Sequence, residues 1–244
     1  MRTVFMIGVV ILLIVSAHAE TVFILNPEAG AGNIRFVKQE IERHLISEGI
    51  DCNVHIFVNP VDFDTAVERY RPDIAIVASY FYSLRSEKYQ WRLLLSGNNS
   101  GSTRFSKILV AKKNVGTIQD LRNKNIAAVS FGPETESIIN IQLSPGLSTA
   151  MVRIISVSKD IDAIMALAFD QVTAAIVTRE SFDRLKGINL EMAGTMRILR
   201  SLNPIDYPMV VAFPEGKNID KIRAALKRLS SKDILKYFGV TGFI

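Results

Sequence analysis

Ser79, Tyr80 and Tyr82 stand just beyond an apolar run, DIAIVA at residues 73–78, that Pro72 bounds on its other side. Open α/β sheets bind ligands outside the carboxyl ends of their strands. Hydroxyls at that place can donate to a ligand oxygen, and the rings of Tyr80, Phe81 and Tyr82 can wall a pocket. A second turn, SFGPETES at residues 130–137, follows another small apolar run and carries Thr135 and Ser137. Pro133 suits the first position of a helix there, since its missing N–H would have no partner anyway. The free N–H groups at such a helix start favour an anion. Glu134 and Glu136 pull the other way: each stabilises the helix start by about 0.3–1 kcal/mol, and both repel a dianion. A zwitterion, an amine-bearing ligand or a neutral solute therefore stays open beside an anion.

Arg179 follows the run at residues 173–178, where a guanidinium can grip two oxygens of a carboxylate or phosphoryl group at once. Ser102, Thr103 and Arg104 lie near one proposed crossing of the chain, and Asp206 near another. Each of these residues also has an ordinary reading: aromatics as packing, glutamates as dipole partners facing solvent, Arg179 as a surface cation. Glu28 sits in NPEAGAG at residues 26–32, a glycine-bearing turn whose backbone can come close to a ligand. That stretch resembles the opening of diacylglycerol-kinase-type lipid kinases. The GGDGT phosphate loop of those enzymes occurs nowhere in the chain, so Glu28 is taken as a cleft residue rather than part of a kinase.

Catalytic signatures are missing. No GxSxG elbow, HExxH helix or Walker loop occurs. Only His44 and His55 lie beyond residue 19, without Cys or carboxylates at ligand spacing, so no metal is expected. Cys52 is the only cysteine; a buried, inert thiol is expected, and no internal disulfide can form. No cofactor is implied.

The elements that must position these residues alternate. Residues 21–25 read as a strand. Ile34, Val37, Ile41 and Leu45 recur at helical spacing up to Gly49. Strands are expected at 54–58, 73–78, 92–95, 108–111, 126–130, 152–157, 173–178 and 209–213. Helices are expected at 64–71, 134–143, 180–185 and along the stripes Ile161–Ile164–Ala168 and Ile219–Ile222–Leu226. Thr117 and Asp120, three residues apart, mark a short capped helix. Strand–helix alternation predicts mostly parallel, mixed sheets with helices on both faces. Segments 101–108 and 203–208, the latter with Pro204 and Pro208, read as crossings between two lobes. Lobe one is then 20–104 plus 208–244, and lobe two 105–207.

Two stretches resemble the type II periplasmic solute-binding proteins, in particular the phosphate/phosphonate-binding family. One is ILVAKKNVGTIQDLRNKNIAAVS at residues 108–130; the other is residues 73–82, which keep Asp73, Ile74, Ala75 and Tyr82. The resemblance implies a two-lobed α/β fold that shuts on a small polar or anionic ligand and delivers it to an ABC transporter permease. A ligand-sensing subunit of a membrane sensor kinase is the alternative partner reading; a lyase or transferase on the same fold is the alternative activity. The expected ligand-binding set is Glu28, Ser79, Tyr80, Tyr82, Ser102, Thr103, Arg104, Thr135, Ser137, Arg179 and Asp206.

The N-terminus agrees with export. Arg2, a run of apolar residues at 3–15 and Ala17-His18-Ala19 read as a cleaved signal peptide, residues 1–19. The run is shorter than the about 20 residues of a membrane span, and no Cys follows it to carry a lipid. Losing Arg2 leaves 28 basic against 24 acidic residues, a net charge of +4. That excess is spread out, with no basic stripe interleaved with aromatics, so nucleic acid is excluded as a partner. A soluble periplasmic monomer is expected.

Overall fold

The computed structural model describes residues 19–27, 34–131 and 134–244. The signal segment 1–18, Glu28 and the Gly132-Pro133 turn lie outside the described residues. In chain order the first half holds β1 (Glu20–Leu25), α1 (Ile34–Ser47), β2 (Cys52–Phe57), α2 (Pro60–Tyr70), β3 (Ile74–Val77), α3 (Ser79–Tyr89) and β4 (Arg92–Asn98). A short β5 (Arg104–Phe105) leads to β6 (Lys107–Lys112), β7 (Asn125–Val129), α4 (Thr135–Leu143), β8 (Arg153–Val157), α5 (Asp160–Ala168) and β9 (Ala174–Thr178). Then come α6 (Arg179–Ile188), α7 (Leu190–Gly194), β10 (Met196–Ser201), β11 (Ile205–Asp206), β12 (Met209–Ala212), α8 (Ile219–Lys227), α9 (Lys232–Tyr237) and β13 (Gly242–Phe243).

These strands form two main sheets. One has the order β13-β4-β12-β3-β1-β2, the other β10-β6-β9-β7-β8, and β5 pairs β11 in a two-stranded ribbon. The molecule is therefore a two-lobed α/β fold. Alternation along each strand sends successive side chains to opposite faces. In β1, Val22 and Ile24 pack with Val37, Ile41 and Leu45 of α1 and Ile222 and Leu226 of α8. Phe23 and Leu25 pack on the other face with Phe63, Val67, Phe81 and Trp91. In the second sheet Ile108 and Val110 meet Ile164 and Leu167 of α5, while Leu109 and Ala111 meet Ile139 and Leu143 of α4. Both sheets are covered on both faces, which explains why β3 and β7 read as unbroken apolar runs.

Antiparallel pairing takes a larger share than the alternation predicts. β2, β1 and β3 are parallel, as are β8, β7 and β9, but β12 pairs antiparallel with both β3 and β4, and β6 with both β9 and β10. β6 and β12 each adjoin a ribbon strand in sequence, so both enter their sheets from the ribbon end rather than from a crossover helix. β10 was not expected from the sequence. The short helix after Thr117 is a single 3₁₀ turn, Ile118–Leu121, closed by the Asp120 carboxylate, which accepts from the N–H groups of Gly116 (3.0 Å) and Thr117 (2.8 Å). The helix expected at 64–71 begins earlier, at Pro60, because Asn59 Oδ1 accepts from Val61 N at 2.9 Å and Pro60 takes the first helical position.

Asp73 is built into this frame. Its carboxylate accepts from the N–H of Thr21 (2.7 Å) at the start of β1 and of Lys217 (2.8 Å) ahead of α8. Gly97 marks a close approach: a methyl group there would meet Val240 Cγ1 at 2.8 Å, Tyr207 Cβ at 2.9 Å and the Pro208 carbonyl at 3.0 Å. Cys52 is buried, and burial pushes its thiol up to about 12, which keeps it unreactive.

Candidate functional site

The carboxyl ends of β3, β7, β8 and β9 converge on a cavity of about 1340 Å³, floored by the ribbon and by the start of β6. Ser79 and Tyr80 enter it from the first turn of α3, Phe131 from the end of β7, Asp160 from the start of α5, and Arg179 from the start of α6. Helix starts thus point their free N–H groups at one space.

The ribbon is tied to the walls. Arg104 and Asp206 face each other across β5 and β11, and Arg104 Nε donates to Asp206 Oδ1 at 2.8 Å. Ser79, itself buried, donates its hydroxyl to the Asp206 carbonyl at 2.6 Å. Tyr207 N donates to the Thr103 carbonyl, and the Phe105 and Tyr207 rings pack 5.0 Å apart.

At the floor lies Lys107, only 1% exposed. Its ammonium sits 5.2 Å above the Phe131 ring and 3.7 Å from Asp160 Oδ1. The other Asp160 oxygen accepts from Thr178 N at 2.7 Å. Thr178 caps α6 by accepting from Ser181 N, and it donates to Ser181 Oγ at 2.8 Å. Tyr80 meets Phe131 edge to face at 4.6 Å, an aromatic contact joining α3 to the end of β7.

The expected site residues divide. Ser79, Tyr80, Arg104, Arg179 and Asp206 line the cavity. Tyr82 is turned into the core instead, stacked on Trp91 at 6.4 Å; two residues along a helix are about 200° apart, so Tyr80 and Tyr82 cannot share a face. Ser102 is spent on its own turn, donating to the Arg104 carbonyl and accepting from Arg104 N. Thr103 contributes its carbonyl to the ribbon rather than a side chain to the cavity. Thr135 is buried, and its hydroxyl accepts from Phe131 N at 2.8 Å, tying the start of α4 to the end of β7. Ser137 is exposed, away from the cavity lining.

Glu134 does not face the cavity. Its carboxylate meets Arg85 Nη2 of α3 at 2.5 Å. Arg85 is buried, held by Asp64 of α2 through three contacts of 2.9–3.1 Å, and lies over the Phe81 ring. The charge expected to repel an anion is therefore neutralised at a second junction between the sheets. Lys107, Phe131 and Asp160 are the site residues that sequence reasoning did not select. Lys107 carried a faint signal, since it falls in phase with Leu109 and Ala111 on one face of β6.

Among the described residues the lining is electropositive, and its carboxylates are each matched by a cation: Asp206 by Arg104, Asp160 by Lys107 and Glu180 by Arg184. Arg179, Lys232 and Lys236 remain on the wall without an ion pair among the described residues. Field lines focused in such a cleft draw in anions. No group of three or more potential metal ligands occurs among the described residues, and none of the described helices is long and apolar enough to cross a membrane.

The family described as ABC transporter, phosphonate, periplasmic substrate-binding protein matches residues 34–244. Among solved structures, the PhnD1 protein of Prochlorococcus marinus in complex with methylphosphonate superposes with a TM-score of 0.68 at 10% identity, covering 93% of both chains. A binding-protein component of an ABC phosphonate transporter from Pseudomonas aeruginosa gives 0.65 at 12% identity, covering 93% of this chain and 81% of its own. A Xanthomonas citri protein solved with ATP bound gives 0.68 at 12% identity, covering 92% and 90%. No curated protein matches the chain.

Proposed function

This chain belongs to the family of ABC transporter phosphonate periplasmic substrate-binding proteins, and from that premise we propose that its cleft captures a small anionic solute and presents it to a membrane permease. The observation that carries the reading is the convergence of four strand ends and several helix starts on a cavity with surplus cations. Arg179 grips the anionic group together with the start of α6, Ser79 and Tyr80 bound it from α3, and Arg104 and Asp206 hold the ribbon beneath it. Thr135 acts indirectly, by tying the start of α4 to the end of β7. Tyr82, Ser102, Thr103 and Ser137 serve the surrounding structure.

Residues 20–104 with 208–244 form one lobe and 105–207 the other, and the ribbon strands β5 and β11 are the straps about which they close. No bond is made or broken; closure follows from tighter binding to the shut form. The receptor acts as a monomer in the periplasm after cleavage behind Ala19, which leaves 225 residues and gives a definite intact mass.

A thermal-shift screen tests the reading. It uses phosphate, phosphite, alkylphosphonates, ATP, amino acids and polyamines. A cognate solute at a hundredfold over its Kd stabilises by about 2.7 kcal/mol. An anion that raises the midpoint supports the receptor; a panel in which no anion does so removes it.

A further inference from the structure

Lysine is among the residues least often buried completely, because its ammonium must be paired or solvated. Lys107 is 1% exposed and still lines the cavity. Two of the groups beside its ammonium are of the kind that recognise a ligand cation. The Phe131 ring lies 5.2 Å beneath it, and the Asp160 carboxylate stands 3.7 Å to one side. The two groups are fixed independently of the lysine. Phe131 is braced by Tyr80 at 4.6 Å and by its N–H bond to Thr135, and Asp160 by the 2.7 Å bond from Thr178 N. An aromatic face beside a carboxylate, desolvated and held in place, is a seat for an ammonium.

We propose that Lys107 fills an ammonium seat made by Phe131 and Asp160, so that the cleft selects anionic solutes carrying no amine of their own. An amine-bearing solute would have to displace Lys107 or find, among the described residues of the lining, no carboxylate free of a cation. Both cost affinity, since a buried charge deprived of its partner is strongly unfavourable. An alkylphosphonate or a similar simple anion meets no such penalty, and the Lys107 ammonium adds to the positive field that holds it. The choice of solute rests on the receptor reading above; the seat itself does not.

Two arms separate them. In the unaltered protein, ethylphosphonate is expected to bind at least tenfold more tightly than 2-aminoethylphosphonate by calorimetry, and equal or reversed affinities overturn the selection. The second arm uses Lys107→Ala, which removes the equivalent of n-propylammonium beyond Cβ. Propylammonium chloride should raise its melting midpoint, whereas n-propanol and sodium chloride at equal concentration should not. The unaltered protein should not respond. Should K107A be recovered unfolded, refolding with and without propylammonium gives the same readout. Absence of any propylammonium-specific gain overturns the seat. If no anion of the thermal-shift panel binds the unaltered protein but K107A is rescued, the receptor reading falls and the seat stands.

Discussion

Arg85 is a buried cation held by two carboxylates from different parts of the fold, Asp64 on α2 and Glu134 ahead of α4. Removing one partner of a buried pair is far more costly than the pair is worth, because the others are left charged in a poor solvent. Arg85→Ala is therefore expected to lower unfolding stability by about 3–5 kcal/mol in urea titrations. Glu134→Gln leaves Arg85 its bidentate Asp64 partner and is expected to lose only about 1 kcal/mol. Equal losses for the two variants would contradict this ordering. The pairing was not legible in the chain, and Lys107 only faintly, since the partners of both lie far apart in sequence. Ser79, Tyr80, Arg104, Arg179 and Asp206 were legible as residues of one cleft because strand ends and crossings are marked by local pattern. Tyr82 was not, because whether a helix starts at Ser79 or beyond it decides which way that ring points.

At the level of elements, strands buried on both faces announced themselves as apolar runs, and amphipathic helices by their stripes. β10 did not: Leu199 breaks its alternation where the register shifts between Ile198 and Arg200, and only pairing with β6 makes it a strand. The 3₁₀ turn at Ile118–Leu121 carries a pH signature. The Thr117 N–H, then its hydroxyl, then the Gly116 N–H hold the Asp120 carboxyl below its ordinary value of 3.8. A carboxyl depressed in the folded state stabilises the fold above its unfolded pKa, and that contribution is lost as pH falls through the folded value. Between about pH 5 and 2, the melting midpoint of the unaltered protein should thus fall more steeply than that of Asp120→Asn. Parallel curves would show that the turn makes no such contribution.

Across the whole molecule, the ribbon strands β5 and β11 between the two covered sheets fall in the segments 101–108 and 203–208 that prolines and polar stretches mark in the sequence. Mixed sheets were expected, but not which strands run against their neighbours, because the direction in which β6 and β12 enter their sheets is set by the ribbon and not by their own residues. Gly97 is a tight point of this arrangement, with β4, the segment after β11 and Val240 in contact. Gly97→Ala is expected to cost about 1–3 kcal/mol by overpacking, measured by urea unfolding; a neutral result would mean that segment has room to shift.

The hydrogen bond from Ser79 to the Asp206 carbonyl couples the ribbon to α3. If the lobes close about that ribbon as proposed, bending it and loosening the grip on a solute are a single motion, and residence time and joint stiffness would rise or fall as one. A membrane partner that merely flexed the strap would thereby eject the cargo without ever touching it.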